Sequence, residues 1–363
     1  MLRRPSEQLD PRDATPESFL TRVISLGAPV EAGRRLMARV VGDGIFSRRE
    51  LNQRRRIPRR LCDAMGDLPR LRLIGSVASP IDNFQKLAFA TSDDLVIETV
   101  LIPLKKPGAV SVCLSSQVGC PMGCLFCATA RMPGRRNLAT WEMVDQLIQA
   151  RSLVESQGRR VTGAVFMGMG EPFLNYDRTL AAAEIMSAPF GGAIGGAAIT
   201  ISTVGLVPEI DRFTREQRRF RLSISLGAPT DEKRRQVVPI AAETLVADVM
   251  AAARRHILAR GQGRVMLSYV CISGFNCGED DALALAELIG DTPVRLDLIE
   301  VTDPTGRFQP PSEAELRSFR DALSRYVGQP VVRRYSGGKD IAAACGTLAG
   351  VLASSGIEVS KVG

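Results

Sequence analysis

The sequence predicts an α/β protein: an incomplete (β/α) barrel preceded by a small helical domain and a short β-rich bridge. Three observations carry this. From Val110 onward, short apolar runs alternate with stretches of helical period, the pattern of parallel strands covered by crossover helices. Residues 70–104 hold short β-rich runs separated by Ser, Pro and Asp, the signature of a small antiparallel sheet. Residues 16–65 show short helical patterns interrupted by Gly44 and Pro58. The resulting division is a basic helical accessory domain (1–69), the bridge (70–104), the barrel with a C-terminal cysteine segment (105–350) and a tail (351–363).

Residues 1–15 are polar and contain proline, which predicts a frayed end. Leu20, Val23 and Ile24 share one helical face, as do Leu36, Val40 and Val41. Between Arg48 and Arg60 the chain concentrates arginine, a run that forms either a solvated face or a grip on phosphates. In the bridge, the runs starting at Leu71, Leu87 and Leu95 read as strands. The barrel strands are expected at Val110–Ser116, Val161–Met167, Ala198–Ser202, Arg221–Leu226, Val265–Cys271, Val294–Ile299 and Val331–Tyr335. Helices are expected at Trp141–Val154, Thr179–Met186, Leu245–Leu258, Asp281–Ile289 and Glu313–Tyr326. In such barrels the chemistry sits at the C-terminal ends of the strands. A cysteine-rich loop follows the first of them and Gly168-Met-Gly-Glu-Pro the second.

The chain has 363 residues, 45% of them hydrophobic, and a formal net charge of +8. No stretch approaches the ~18–20 apolar residues of a membrane span, and the first residues lack an apolar signal core. The expected location is therefore the cytoplasm. There, eight cysteines point to metal binding or catalysis rather than structural disulfides. The basic surplus suits a polyanion, with RNA or DNA the default.

Cys120, Cys124 and Cys127 place three thiols on one short loop with the spacing Cys-x-x-x-Cys-x-x-Cys. A ferredoxin cluster takes four cysteines, and a closed zinc site takes four ligands. Three point to a 4Fe–4S cluster with one iron open to a further ligand. A zinc knuckle completed by Cys113 or the single histidine, His256, remains an alternative. Gly119, Pro121 and Gly123 supply the tight backbone that lets neighbouring thiols converge.

The triplet, with Phe126 before its third cysteine, resembles the radical S-adenosylmethionine (SAM) superfamily. There the open iron chelates SAM, and an electron cleaves it to a 5′-deoxyadenosyl radical. The longer run Cys113-Leu-Ser-Ser-Gln-Val-Gly-Cys-Pro-Met-Gly-Cys-Leu-Phe-Cys narrows the resemblance. It is similar to the radical SAM RNA adenine methyltransferases, the carbon-2 enzymes of 23S rRNA and tRNA and their carbon-8 antibiotic-resistance relatives. Arg136-Asn-Leu, Gly168-Met-Gly-Glu-Pro, Ile201-Ser-Thr-Val-Gly, Ser223-Ile-Ser-Leu, Val238-Pro-Ile and Ala344-Cys-Gly-Thr-Leu-Ala-Gly match in order, over roughly residues 95–350.

The resemblance implies that SAM methylates Cys345, that the methyl group is activated and joined to an adenosine ring carbon, and that Cys113 attacks the sulfur of Cys345 to release the product. It implies cluster ligation by Cys120, Cys124 and Cys127, and SAM contacts from Gly170, Glu171, Ser202, Ser225, Leu226 and Gly227. Glu98 matches the family's proton acceptor. An rRNA or tRNA substrate, an electron donor such as flavodoxin or ferredoxin, and a monomer are expected with it. Two departures stand out: Gly227 replaces a usual histidine, and Asp297 a usual asparagine, both expected near SAM's nucleoside. Cys62, Cys271 and Cys277 match no motif.

Overall fold

A computed structural model describes residues 8–53, 56–239 and 243–349. Arg54 and Arg55 of the basic run, the expected tail 351–363 and residues 1–7 of the expected frayed end lie outside the described residues.

Four short helices open the chain: α1 (Pro16–Ser25), α2 (Val30–Met37), α3 (Arg48–Asn52) and α4 (Arg59–Met65). Thr15 caps α1 by accepting a hydrogen bond from the Ser18 amide, as N-cap threonines do. The face of α1 that turns inward is Phe19 and Val23; Ile24, expected on that face, is 55% exposed. A residue four positions from Phe19 stays on its side of the helix, and Ile24 is rotated beyond it.

The expected frayed end is also corrected. Leu9 is buried, and Arg12 is fully buried, paired with Asp10 at 2.7 Å and Asp145 at 3.5 Å. Its guanidinium lies 5.0 Å from the Phe46 ring and 5.3 Å from the Trp141 ring, a cation–π setting that favours arginine. One buried side chain thus ties the N-terminal region to the barrel.

Strands β1 (Arg72–Ala78), β2 (Gln85–Ala90) and β3 (Val96–Pro103) form an antiparallel meander. They do not make a sheet of their own. β3 pairs antiparallel with β4 (Ala109–Cys113), and the meander continues into the barrel sheet. From β4 the pairing is parallel through β7 (Arg160–Phe166), β8 (Ile199–Thr203), β9 (Arg221–Ser225), β10 (Val265–Cys271), β11 (Val294–Glu300) and β12 (Val331–Arg333). The ten strands follow one linear order from β1 to β12, so the sheet is open. A two-stranded ribbon, β5 (Gln117–Val118) with β6 (Arg136–Asn137), brackets the cysteine loop.

Covering helices are α5 (Thr140–Ser156), α6 (Tyr176–Ser187), α7 (Val207–Arg215), α8 (Asp231–Val237), α9 (Val246–Arg260), α10 (Glu279–Ile289) and α11 (Glu313–Tyr326). No described helix is long and apolar enough to cross a membrane. His256, on α9, packs 5.6 Å from the Phe213 ring and places Nδ1 2.9 Å from Thr214 Oγ1. It does not line the cavity that holds the cysteine triplet.

Burial pushes the His256 pKa down from 6.5 to about 4, with Arg260 adding to the shift. The folded value lies below the unfolded one, so the neutral ring stabilises the fold in full above about pH 6.5, and that contribution is lost as pH falls through about 4. Acid unfolding of a His256→Gln variant is therefore expected to lose part of its pH dependence in this window, on the order of 3 kcal/mol. NMR titration of the one histidine checks it; a ring titrating near 6.5 would contradict the burial argument.

Candidate active site

One cavity of about 220 Å³ opens at the C-terminal ends of the parallel strands. Its wall includes Cys113, Cys120, Cys124, Cys127 and Cys345, together with Gly170, Glu171, Ser202, Ser225 and Gly227. Two expected site residues are not on that wall: Glu98 and Leu226.

The cysteine loop sits in an apolar setting. Cys120, Met122 and Cys124 pack with Val237, Val238, Ile272 and Val301, and Phe126 and Cys127 close the group. Within the loop the Cys127 amide donates to the Cys124 carbonyl at 3.1 Å, and the Leu125 amide donates to Val237 at 3.0 Å. Burial pushes the Cys120 thiol up to about 12, and Cys124 higher still, where mutual repulsion among the three thiolates adds to burial. Cys120 and Cys124 thus stay protonated at neutral pH unless a metal takes the place of their protons.

Among the described residues no three His, Cys, Asp or Glu side chains converge tightly enough to hold a single metal ion. A cluster that takes one thiolate per iron needs a wider spread than one zinc ion does. The donor set and its dry surroundings thus fit an iron–sulfur cluster.

The residues expected to contact SAM lie on the same cavity wall, Leu226 excepted. Gly170 adopts φ +102°, and a Cβ there would come within 2.5 Å of Gln117 Cβ, so only glycine lets this turn close. Glu171 is buried. Its carboxylate accepts from the Phe173 amide at 3.0 Å and the Val204 amide at 2.9 Å, and its own amide donates to Gln117 Oε1 at 2.8 Å. Desolvation raises its pKa to about 7, poising the carboxyl for a cationic partner, which would favour its charged form.

Ser202 Oγ and Ser225 Oγ lie 3.4 Å apart across β8 and β9, and Ser223 pairs with Ser268 at 3.1 Å across β9 and β10. Ser268 also lines the cavity and was missed. Its signal was a serine inside the apolar run Val265–Cys271, in register with Ser225.

Arg234, fully buried, donates to the carbonyls of Leu226 (3.0 Å), Thr244 (2.9 Å) and Val204 (2.6 Å). Leu226 contributes backbone to the site through this tie rather than its side chain. Gly227 adopts φ +81°, and a Cβ would meet Val238 Cγ2 at 2.9 Å. The glycine that replaces histidine is thus what this backbone requires. Asp297 does not face SAM's expected place. It is fully buried, absent from the cavity wall, and held by Arg295 through two 2.7 Å hydrogen bonds. Arg295 and Asp297 sit two apart on β11 and share a face.

Cys113 ends β4 opposite Val100 of β3. Burial pushes its thiol up to about 12; the Cys345 charge adds to this and Arg334 opposes it. Cys345 is exposed, and its amide donates to Ser336 Oγ at 3.1 Å. The segment carrying it is tied to the cysteine loop by Ala128 N–Gly346 O at 2.7 Å and Thr129 Oγ1–Leu348 O at 2.7 Å.

The bridge holds the same segment from the other side. Lys86 Nζ donates to Ala342 O at 3.3 Å, and Glu98 Oε2 accepts from the Ala349 amide at 2.8 Å. Lys86 and Glu98 are themselves a buried ion pair at 2.9 Å. Cys62, Cys271 and Cys277 are buried in the main core.

A profile of the radical SAM superfamily matches residues 114–288. The chain is 45% identical over 323 residues to a probable RNA methyltransferase of Anaeromyxobacter sp. (strain Fw109-5), covering 89% of this chain and 94% of that relative. It is 34% identical to a probable dual-specificity RNA methyltransferase RlmN of Heliobacterium modesticaldum, covering 95% of this chain and 91% of the relative. A crystal structure of a radical SAM methyltransferase from Sphaerobacter thermophilus superposes with a TM-score of 0.85 at 34% identity, covering 94% of this chain and 99% of that one.

Cysteine loop, open α/β sheet and profile together define a radical SAM protein, with a 4Fe–4S cluster and SAM as its cofactors. Within that superfamily, the chain belongs to the RNA methyltransferase family that includes the RlmN enzymes.

Proposed function

We propose that this protein methylates a ring carbon of an adenosine in rRNA or tRNA through a methyl-Cys345 intermediate. The observation that carries the reading is the meeting of Cys113 and Cys345 on the wall of the cavity that also holds Cys120, Cys124 and Cys127. A purely structural pair of thiols has no reason to sit there. RNA as substrate is supported by the names of the relatives and by the +8 charge.

Cys120, Cys124 and Cys127 would hold the cluster, whose role when bound is to supply the electron that cleaves SAM. Glu171 offers a carboxylate to the SAM ammonium, Gly170 and Gly227 present backbone from turns that need glycine, and Ser202 and Ser225 offer hydroxyls; Leu226 steadies the strand end. An adenosine flipped from its stack would enter the cavity mouth. Cys345 carries the methyl group, which would give one hydrogen atom to the adenosyl fragment of cleaved SAM and then bond through its carbon to the ring carbon. Cys113 then attacks Cys345 Sγ and loses its thiol proton as the S–S bond forms, thiolate chemistry at sulfur. The Sγ–carbon bond breaks with its electron pair leaving on the carbon, which takes up a proton to become the product methyl group. The ring carbon gives its proton to Glu98, and the one surplus electron would pass to the cluster. A transient disulfide of this kind suits the cytoplasm, where a flavodoxin or ferredoxin would donate electrons. The protein acts there as a monomer.

Glu98 is assigned as the proton acceptor at the ring carbon. A base must reach its proton, and Glu98 is held by Lys86 and Ala349, so the segment carrying Cys345 has to shift before the transfer step. The test is anaerobic incubation with SAM, reductant and unmodified rRNA or tRNA, followed by nucleoside mass spectrometry. Wild type yields a carbon-methylated adenosine. Glu98→Gln yields about 100-fold less while its Cys345 still gains a methyl. Unmodified RNA from fully iron-loaded wild type would overturn the reading.

A further inference from the structure

We propose that Tyr335 and Arg334 form a nucleotide-binding shelf at the cavity mouth, on which the base beside the reacting adenosine stacks. The inference deepens the function above and rests on it. Both residues line the cavity, just past β12 and ten or eleven positions before Cys345. Tyr335 is 67% exposed, more than any other described aromatic residue.

Its ring is nevertheless fixed. The hydroxyl donates to Asp82 Oδ2 at 2.8 Å, and the Phe84 ring meets it edge-on, with centroids 6.1 Å apart and planes at 69°. A ring braced at its hydroxyl and by an edge contact, yet left in water, is ready to stack and has little conformational freedom to lose.

Charge points to the same ligand. Arg333 is paired with Glu300 and Glu313, and Lys339 with Glu300. Arg334 between them has no carboxylate partner among the described residues; its Nη1 lies 3.3 Å from Met167 Sδ. An uncompensated guanidinium beside an exposed, braced aromatic ring is the pairing that recognises single-stranded nucleotides, phosphate by charge and base by its π face. A base flipped toward Cys345 leaves its neighbour unstacked, and the Tyr335 ring restores a stacking partner at that point.

The test compares Tyr335→Leu with Tyr335→Phe in the full-length, iron-loaded protein, with RNA methylation and Cys345 loading both measured. Tyr335→Leu should raise KM for RNA about ten-fold with kcat little changed and Cys345 fully methylated. Tyr335→Phe, which keeps the ring but loses the Asp82 hydrogen bond, should restore KM. An unchanged KM in Tyr335→Leu would overturn the shelf. So would an equal loss in both variants, because the Asp82 bond and not the ring would then matter. Unloaded Cys345 in Tyr335→Leu would likewise assign the ring to holding the segment. Wild type that modifies no RNA removes the proposed function and this inference with it, a result read before either variant is compared.

Discussion

Replacing Cys113 with alanine leaves RNA covalently attached to the protein through Cys345. Once the methyl carbon of Cys345 is joined to the adenosine ring carbon, release needs a nucleophile at Cys345 Sγ. Cys113 lines the same cavity as Cys345, and the charge of Cys345 adds to the rise in the Cys113 pKa. Cys345 is exposed and Cys113 is buried. The remaining thiols do not offer a substitute: Cys62, Cys271 and Cys277 are in the core, and the triplet is the proposed ligand set of the cluster. Alanine at position 113 removes the attack but leaves SAM binding and Cys345 loading in place. Turnover should fall by more than about 1,000-fold, since removing a nucleophile costs this much or more. The trapped species should run as protein with nucleic acid attached and be absent from a Cys113→Ala, Cys345→Ala double variant. A freely turning-over Cys113→Ala protein would remove Cys113 from the mechanism.

The second large effect is expected at Cys124. Cys120 and Cys124 are buried in an apolar group with strongly raised pKa values, so these two thiols need a metal to deprotonate them. With Cys124→Ala only two of the triplet remain, too few for a cluster that takes three protein ligands. Iron per chain should fall from about four to near zero, the brown colour should be lost, and both Cys345 loading and RNA methylation should disappear. Cys62→Ala, a core thiol away from the cavity, serves as the control and should keep its iron. A Cys124→Ala protein that retains a full complement of iron and sulfide would contradict the assignment.

Much of this was legible in the sequence because the decisive signals are local. All seven parallel strands lie within a few residues of where their apolar runs placed them, and the cysteine spacing named its cofactor. The helices α7 and α8 were not anticipated. One begins Val207-Pro208, and the other reads Asp-Glu-Lys-Arg-Arg-Gln-Val, which carries no apolar period. The docking of residues 8–15 was missed because it depends on Arg12 meeting Asp145 and Trp141, more than a hundred residues away.

The site divided in the same way. Residues on one loop or at one strand end were found, whereas Lys86 meets Glu98 only through the pairing of β2 with β3, and Arg334 joins the cavity wall of Cys113 from the far edge of the sheet. Asp297 shows a local signal that was passed over: Arg295 stands two residues before it, at strand period, and neutralises it.

In the proposed mechanism the methyl group passes through Cys345. This is tested most directly by preparing protein whose Cys345 already carries an unlabelled methyl, then running a single turnover on RNA with SAM bearing a 13C-labelled methyl. The first adenosine methylated should contain the unlabelled carbon, with the label emerging only in later turnovers. Label in the first product would mean direct transfer from SAM and would contradict it.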